Sequence, residues 1–552
     1  MQKHFSIMFL NKHFLRFISL TVSILFFIGI GISGLLYAFQ LHGITVLYWG
    51  ELRGKIQTLN PFSAQTIEEK MLNQLIFGEP LFQYDPYEQK ILPGIVENFA
   101  AFSPDSLTWI IRFKDTIIFH NNIPLTPEDI CFSIELYRRF STEMYQSYNP
   151  QLDKIKEITT AGPRIVEITL RDKIDNLPLL LADIPIISQS YFDGGKFAQT
   201  IKNLNEKRPV GFGPFQVITF SEDSILLERY PKYYAGTPEF DRICVKLYEK
   251  PDILRSDFIK DKLDCIQINE FSDFREISRA DTSFSLISVP APFYTVYSLV
   301  LNINSPLLSS DKIRKAIKTA LNKSLYPISN VQFNVRSVAY GPLPETSWAF
   351  FKKMLEPVYN PLDSKDELYR QGWIDENGDG ILDQGGKPFT LELIYPENDI
   401  YLKSLIYYIR FDLNEVGINI VPKPLPPAVH KERVAVKDFQ LAIDQSYCYQ
   451  LDAVRTFFDF FRFFNSVIGR NVPPISEASY TLQLRRIAQI PNQKSAEAIF
   501  YRLQDLYLQS NVSIALTYQH HYYYAINKRH ILNFIKGNRL APVILWKPVY
   551  KQ

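Results

Sequence analysis

The run Arg208–Phe215, RPVGFGPF, leads into Phe215–Phe220 (FQVITF), Ser221–Ser224 (SEDS) and Ile225–Tyr230 (ILLERY). Two alternating runs on either side of a short polar turn predict a β-hairpin. Gly211 and Gly213 with Pro214 predict a rigid bend ahead of it, because few other residues tolerate such backbone geometry. Tyr230–Pro238 (YPKYYAGTP) then closes the unit with turn residues and three tyrosines.

Working outward, Gly43–Trp49 reads as a first strand, Ile56–Phe62 as a turn-rich loop and Ile67–Phe77 as a helix. Ser106–Phe113 and Ile165–Leu170 alternate as strands. Between them, Thr126–Phe140 reads as a helix, with Thr126 as N-cap, Pro127 at the first helical position and Glu128 and Asp129 in the first turn. The clearest unit lies further on. Phe389–Tyr395 is a strand, and Tyr401–Val416 a helix with Leu402, Leu405, Ile406, Ile409, Leu413 and Val416 on one face. Gly417 ends that helix, and Ile418–Val421 is a second strand. Strand, helix and strand on short connections predict a right-handed βαβ unit. Phe439–Asp444 adds a third strand. Ser310–Lys323 predicts another helix, its stripe Ile313, Ala316, Ile317, Ala320 and Leu321, with Lys312, Arg314, Lys315 and Lys318 facing solvent. Ser495–Gln509 predicts a late helix, and Val512–Leu516 and Tyr522–Ile526 late strands.

A chain of 552 residues is too long for one core, so two or three lobes are expected. Sixty basic and 58 acidic residues leave a net charge of +2, which gives no support for nucleic-acid binding. Aromatic residues reach 14%, with 32 Tyr and 41 Phe, a surplus that serves both core filling and a binding cleft. Phe17–Gly50 holds no Asp, Glu, Lys or Arg, and Phe17–Phe39 is long enough to span a bilayer at ~1.5 Å per residue. Lys3, Lys12 and Arg16 precede it, which predicts a cytoplasmic N-terminus and a body outside the membrane. The segment 1–42 is a signal peptide or a membrane anchor, and its length favours the anchor, since secretory apolar regions run ~7–15 residues. Of the four cysteines, Cys244 and Cys265 stand in neighbouring strand-like runs, where a disulfide is conceivable, but buried free thiols are the better expectation for all four.

Several segments resemble, in order, the extracellular solute-binding proteins of family 5, the oligopeptide- and dipeptide-binding receptors of ABC importers. They are Thr58–Phe62 (TLNPF), Ile76–Leu81 (IFGEPL), Ile91–Phe99, Thr108–Phe113, Phe119–Asn122, Thr126–Phe132, Gly211–Phe215, Leu301–Leu308 with Asp311–Ala320, and Gly372–Asp383 (GWIDENGDGILD). The family carries Thr where Phe212 stands here. The resemblance implies an α/β fold with two hinged lobes, mixed sheets and an inserted domain, behind one N-terminal apolar helix. Lobe one would hold residues 43–75, 205–291 and 513–552, the inserted domain 76–204 and lobe three 292–512. It also implies a monomeric receptor at the periplasmic or extracytoplasmic face of the inner membrane, which captures an oligopeptide or other small solute and hands it to an ABC permease. Closure around the ligand would couple binding to a shape change.

The expected ligand-binding residues are Asn60 and Phe62 in the 56–62 loop, Tyr294 and Tyr297 in FYTVYSL, and Tyr447, Tyr449 and Asp452 in DQSYCYQLDA. In peptide-binding relatives an acidic residue of lobe three holds the peptide's amino group, and matching from Phe439 puts Tyr449 at that place. Asp444 and Asp452 remain candidate amine partners, with a helix N-cap as the structural alternative for Asp452. Because enclosing an amine without a counter-charge is costly, the same fold binding a metal chelate, haem, opine or sugar stands as the alternative. An anchored protein that has lost transport is a third reading.

No covalent chemistry, cofactor or metal is expected. Asp375, Asn377, Asp379, Gly380 and Asp383 follow the early half of a calcium loop, but Gly386 stands where a bidentate Glu is needed. His520 and His521 are adjacent, so in a strand they point to opposite faces and are expected to pack among tyrosines. No GxSxG, HExxH or phosphate-cradling loop occurs.

Overall fold

The computed structural model describes residues 44–533 together with 547–548, leaving out 65, 86–87, 103–106, 144–149, 175, 183, 269–270, 281–282, 328–335, 356–358, 398, 450–451, 458–459, 461–470, 473–474, 477–485, 487–492 and 529–530. The apolar stretch 17–39 lies outside the described residues. Among those described, no helix is long and apolar enough to cross a membrane.

In chain order the elements that carry the argument are β1 (Val46–Leu52), α1 (Ile67–Phe77), β2 (Val96–Phe102), β3 (Thr108–Phe113), α2 (Pro127–Glu143), β4 (Ile155–Gly162), β5 (Ile165–Leu170), β6 (Phe215–Phe220), β7 (Ser224–Arg229), β8 (Arg242–Tyr248), β9 (Cys265–Ile268) and β10 (Phe284–Leu301). Then follow α3 (Asp311–Ala320), β11 (Arg336–Val338), β12 (Thr390–Pro396), α4 (Ile400–Glu415), β13 (Asn419–Leu425), β14 (Leu441–Cys448), α5 (Gln493–Ser510) and β15 (Ser513–Asn527).

One mixed sheet runs through both halves in the order β13-β12-β14-β10-β15-β9-β1-β8-β7-β6, with β11 on β15. A separate antiparallel sheet, β2-β3-β5-β4, packs against α2. The apolar residues of α1, α2, this small sheet and the β6–β8 strands merge into one core, while β10, β12 and β14 are covered on both faces in the other half. Among the described strands, only β10 and β15 are long enough to belong to both halves. They pair antiparallel from Phe284–Asn527 to Val300–Ser513, and the register breaks between Pro290 and Thr295. The two late strands expected at 512–516 and 522–526 are therefore one strand.

The βαβ unit forms as the periodicity predicts. Strands β12 and β13 pair in parallel, β14 joins β12 in parallel, and the six expected apolar residues of the 401–416 helix are buried. Gly417 has φ +83°, and a Cβ there would meet the Leu382 side chain at 2.5 Å, so the position needs glycine on both counts. The 215–230 hairpin also forms, as β6 and β7. The glycines ahead of it serve close approach and not a left-handed turn. A Cβ on Gly211 would lie 2.1 Å from the Ile76 carbonyl oxygen, and one on Gly213 would lie 2.3 Å from that of Leu75. The Gly213 N–H donates to the Ile76 carbonyl, and the His120 N–H to that of Gly211, so the run ties the end of α1 to the smaller sheet's side of the molecule.

Strand order also keeps Cys244 and Cys265 apart. Cys244 pairs with Tyr48 and Cys265 with Trp49, so β1 lies between them, and two inter-strand spacings of ~4.8 Å exceed disulfide reach. All four cysteines are free thiols. The charged face of α3 departs from expectation. Arg314 is buried and donates to the Leu308 and Ser309 carbonyls, and Lys318 donates to the Leu508 carbonyl at 2.6 Å.

Candidate functional site

The carboxyl ends of two pairs of parallel strands point at one space. From one half come the turn after β1 (Arg53, Gly54, Ile56, Gln57), the tip of the β6–β7 hairpin (Phe220–Glu222) and the end of β8 (Leu247–Lys250). From the other come Tyr395 and Glu397 after β12, Lys403 in α4, and Pro424, Pro426 and Pro427 around the end of β13. The cavity between them has a volume of about 1180 Å³, above the ~300–1,000 Å³ of ordinary small-molecule sites. Open α/β sheets place ligands at such carboxyl ends, where side chains and helix N-termini converge on free space. The rim pairs its charges. Arg53 bridges Asp223 at 2.6 Å and Glu249 at 3.0 Å, which fixes the turn after β1.

Deeper in, the halves are coupled through buried polar groups. Lys55 stands 3.3 Å from Glu68 and 3.8 Å from Glu51. Burial pushes the Glu51 carboxyl up to about 7, against the opposing pull of Lys55. Burial alone would lower the Lys55 ammonium, yet Glu68, Glu51 and, from the other half, Asp399 hold it above its ordinary value. Asp399 caps α4 by accepting from the Tyr401 N–H, and it also accepts from the Tyr297 hydroxyl at 2.9 Å and the Gln445 amide at 3.0 Å.

A second, smaller cavity of about 110 Å³ lies at the other end of the 56–62 loop. Its walls include Pro61, Phe62, Phe77, Tyr137 and Pro185, and the polar side chains Lys70, Asn73, Gln74 and Arg455. Lys70, Asn73, Gln74 and Phe77 are spaced i, i+3, i+4, i+7, which puts them on one face of α1. Helix α1 holds that orientation by a capping box: the Thr66 side chain accepts from the Glu69 N–H, and the Glu69 carboxylate from the Thr66 N–H.

Of the expected site residues, the structure brings Phe62, Tyr447, Tyr449 and Asp452 together. The Lys70 ammonium lies 4.0 Å from the centre of the Phe293 ring, 5.9 Å from Tyr447 and 5.7 Å from Tyr449. Tyr447 meets Phe293 edge-on at 4.8 Å, and the Arg455 guanidinium covers the Tyr449 ring at 3.9 Å. Asp452 accepts from the Arg455 N–H at 2.9 Å, the N-cap geometry of the helix that begins at Ala453. The other three are placed elsewhere. Asn60 is buried, donating to Asn205 at 2.7 Å and accepting from the Phe62 N–H, so it fixes the loop. Tyr294 packs on Tyr518 and His520, and Tyr297 reaches Asp399 from the opposite face of β10. Asp444 shares the face of β14 that carries Ala442 and Cys448 into the core with α5, and burial pushes its carboxyl up to about 8. None of these residues lines the 1180 Å³ cavity.

The two histidines correct the expectation of opposite faces. Opposite them the ladder breaks in β10, between Pro290 and Thr295, and the His520 and His521 Nδ1 atoms meet at 2.7 Å. The acidic loop at 375–383 uses its own groups: Asp375 accepts from the Gly378 and Gly380 N–H, and Asp379 from that of Ile381. Lys70, Asn73, Gln74 and Arg455 escaped the sequence reading. Their signal was there in α1, whose polar residues recur at helical spacing inside an otherwise apolar helix.

The sequence profile described as bacterial extracellular solute-binding proteins, family 5 middle, matches residues 90–463. The oligopeptide-binding protein AppA of Bacillus subtilis is 26% identical over 322 residues, covering 57% of this chain and 58% of that protein. The matched region thus spans little more than half of that relative. The structure of AppA in complex with a nonapeptide superposes with a TM-score of 0.72 at 18% identity, covering 92% of this chain and all of the other. The crystal structure of NikA from Brucella suis in complex with Fe(III)-EDTA gives 0.73 at 17% identity, covering 91% of this chain and all of the other.

Proposed function

The chain belongs to the family 5 bacterial extracellular solute-binding proteins, and from that premise we propose that it is the solute-capturing receptor of an ABC importer. One observation supports this reading most. The carboxyl ends of β1, β8, β12 and β13 face each other across a space of about 1180 Å³, and among the described strands β10 and β15 alone belong to both sides. Such a layout lets the halves swing about the paired strands and enclose a guest. In this reading 43–75, 205–291 and 513–552 act as lobe one, 292–512 as lobe three and 76–204 as the inserted domain, except that the start of β15, Ile514–Tyr518, packs in the core of lobe three. The receptor works as a monomer outside the cytoplasmic membrane, carried there by the apolar stretch 17–39, and a permease reads its closed shape. It performs no covalent step.

The guest of first choice is an oligopeptide lying extended in the space, its backbone bonded to strand ends and loops. Isothermal titration of the full chain with tri- to pentapeptides tests this, with small-angle scattering to follow closure. Binding with a fall in radius of gyration is expected. Neither heat nor compaction across the library would sink the receptor reading for peptides.

A second reading keeps the receptor and changes the guest to a non-peptide solute. Tyr449 favours it, because that residue stands where peptide-binding relatives carry the acid that holds the amine, and cations surround it. Mass spectrometry of solute released from the purified protein separates the two.

A further inference from the structure

A third cavity, of about 330 Å³, lies where helices α3 and α5 end against the start of β15 and the end of β11. It shares no described wall residue with the 1180 Å³ space or the 110 Å³ cavity. Leu321, Met354 and Leu508 give it an apolar body. Lys318 and Lys323 are its two cations, and among the described residues that line it none is acidic. Both ammonium groups are bonded to neutral oxygens. Lys318 donates to the Leu508 carbonyl at 2.6 Å and to the Asn511 side-chain oxygen at 3.2 Å. Lys323 donates to the Ala339 carbonyl at 2.8 Å and to that of Ala515 at 3.2 Å. An ammonium has three N–H donors, so each lysine has one beyond these bonds. The Tyr340 ring, 5.4 Å from the Lys323 ammonium, attracts it without supplying a counter-charge.

The charges around the pair leave it electropositive. Asp311 acts on Lys318, but it is itself bonded to Arg314 and to the Asn511 amide. Burial takes the Lys318 ammonium down to about 8 against that pull, and Lys315 adds to the effect. For Lys323 the acting charge among the described residues is Lys318, of like sign, and burial first and Lys318 second push its ammonium down to about 7. Tyr340, Tyr359 and Tyr507 are the other titratable groups on the walls, and burial pushes the Tyr507 hydroxyl up. Two cations thus repel across one cavity, a cost that a bound anion would offset.

We infer that this cavity is a second ligand site, for a monocarboxylate with a compact apolar body, its carboxylate between Lys318 and Lys323 and its body against Leu321, Met354 and Leu508. Two spare N–H groups match the two oxygens of a carboxylate, in charge-assisted bonds. A phosphate would bring further oxygens to apolar walls that cannot bond them. The volume is that of about eleven waters at ~30 Å³ each, room for roughly ten non-hydrogen atoms. The site stands apart from the proposed receptor space and does not depend on it.

The test uses the full chain in detergent, with phenylacetate and phenylacetamide as probes of one shape and different charge. In isothermal titration at pH 6.5 and matched ionic strength, phenylacetate is expected to bind at least about tenfold more tightly than the amide. Its affinity should fall at least about fivefold from pH 6.5 to 8.5, because the lysines lose protons across that range while the probe stays ionised. Lys323→Gln, and independently Lys318→Gln, should each bring the acid within about twofold of the amide. Glutamine keeps a donor for the carbonyls, and two variants guard against one that folds poorly. Equal affinities for the two probes in the unaltered chain, or an acid preference that survives both substitutions, overturn the site. Displacement of phenylacetate by tripeptides would place it in the larger space and overturn the site as well. An acid preference lost in the variants, with no peptide bound, upholds the site and removes the peptide reading alone.

Discussion

Two half-buried lysines lie fifteen positions apart, at the two ends of the segment that leads from β1 into α1. Lys55 is neutralised by carboxylates: Glu51 and Glu68 from its own half and Asp399 from the other. Lys70 rests instead on the rings of Phe293, Tyr447 and Tyr449, beside a cavity that Arg455 also lines. A cation closed off by acids is a structural element, and its contribution is spent within the fold. A cation laid on π-faces is held by attraction to the rings and by the packing of its aliphatic stem. The difference separates a charge-paired joint from an aromatic seat, although composition and spacing make the two lysines look alike.

The sharpest break of that contrast is Lys55→Met, which leaves Glu51 and Glu68 buried without their counter-charge. A loss of about 3 kcal/mol is expected in urea unfolding, whereas Lys70→Met should cost less than about 1 kcal/mol, because a thioether packs well on Phe293. Equal losses would erase the distinction. Tyr449→Asp puts an acid between Lys70 and Arg455. Removing a buried ring should lower stability by about 2 kcal/mol, read in the same urea unfolding.

Proton linkage sharpens the picture at the margins. Burial pushes the imidazoles of His120, His430 and His520 down to about 4, and at His520 the neighbouring His521 and Arg336 add to the effect. The unfolded chain takes up these protons near pH ~6.5 and the folded chain does not, so the contribution of the three imidazoles is full above that value and falls as the pH drops from about 6.5 toward 4. The raised carboxyls of Glu51 and Asp444 act in the opposite sense, so the histidine share is read as the difference in melting midpoint between the unaltered chain and a histidine variant across that window. His120→Gln should flatten part of the slope. The smallest effect belongs to Tyr297→Phe. It removes one hydrogen bond to Asp399, with a cost of about 1 kcal/mol in urea unfolding, because Tyr297 serves the joint.

The fold was legible wherever a local pattern decided it. The unit β12–α4–β13 followed from its periodicity, and the hairpin from two alternating runs. The union of two late strands into β15 was not legible, because Gln519–His521 carry no apolar alternation, and pairing with β10 and β11 extends the strand through them. Arg314 and Lys318 read as a solvated face of α3 and are instead bonded to carbonyls that only the folded chain brings near. The site shows the same boundary. The sequence pointed to the 56–62 loop and the 447–452 stretch, but strand alternation and loop bonding decide where their described side chains face. Lys70, Asn73 and Gln74 look like the wet side of a helix, and only packing against the smaller sheet's half and Arg455 makes them walls.

The paired strands β10 and β15 have a mechanical consequence. A two-stranded ribbon bends across its face far more readily than it shears along its ladder, and here the ladder is interrupted chiefly at one level, Pro290–Thr295. If the proposed receptor closes about these strands, its halves would move chiefly through one angle. The length of a guest in the gap would then register on the outer surface as a value of that angle, which a partner could gauge without touching the guest.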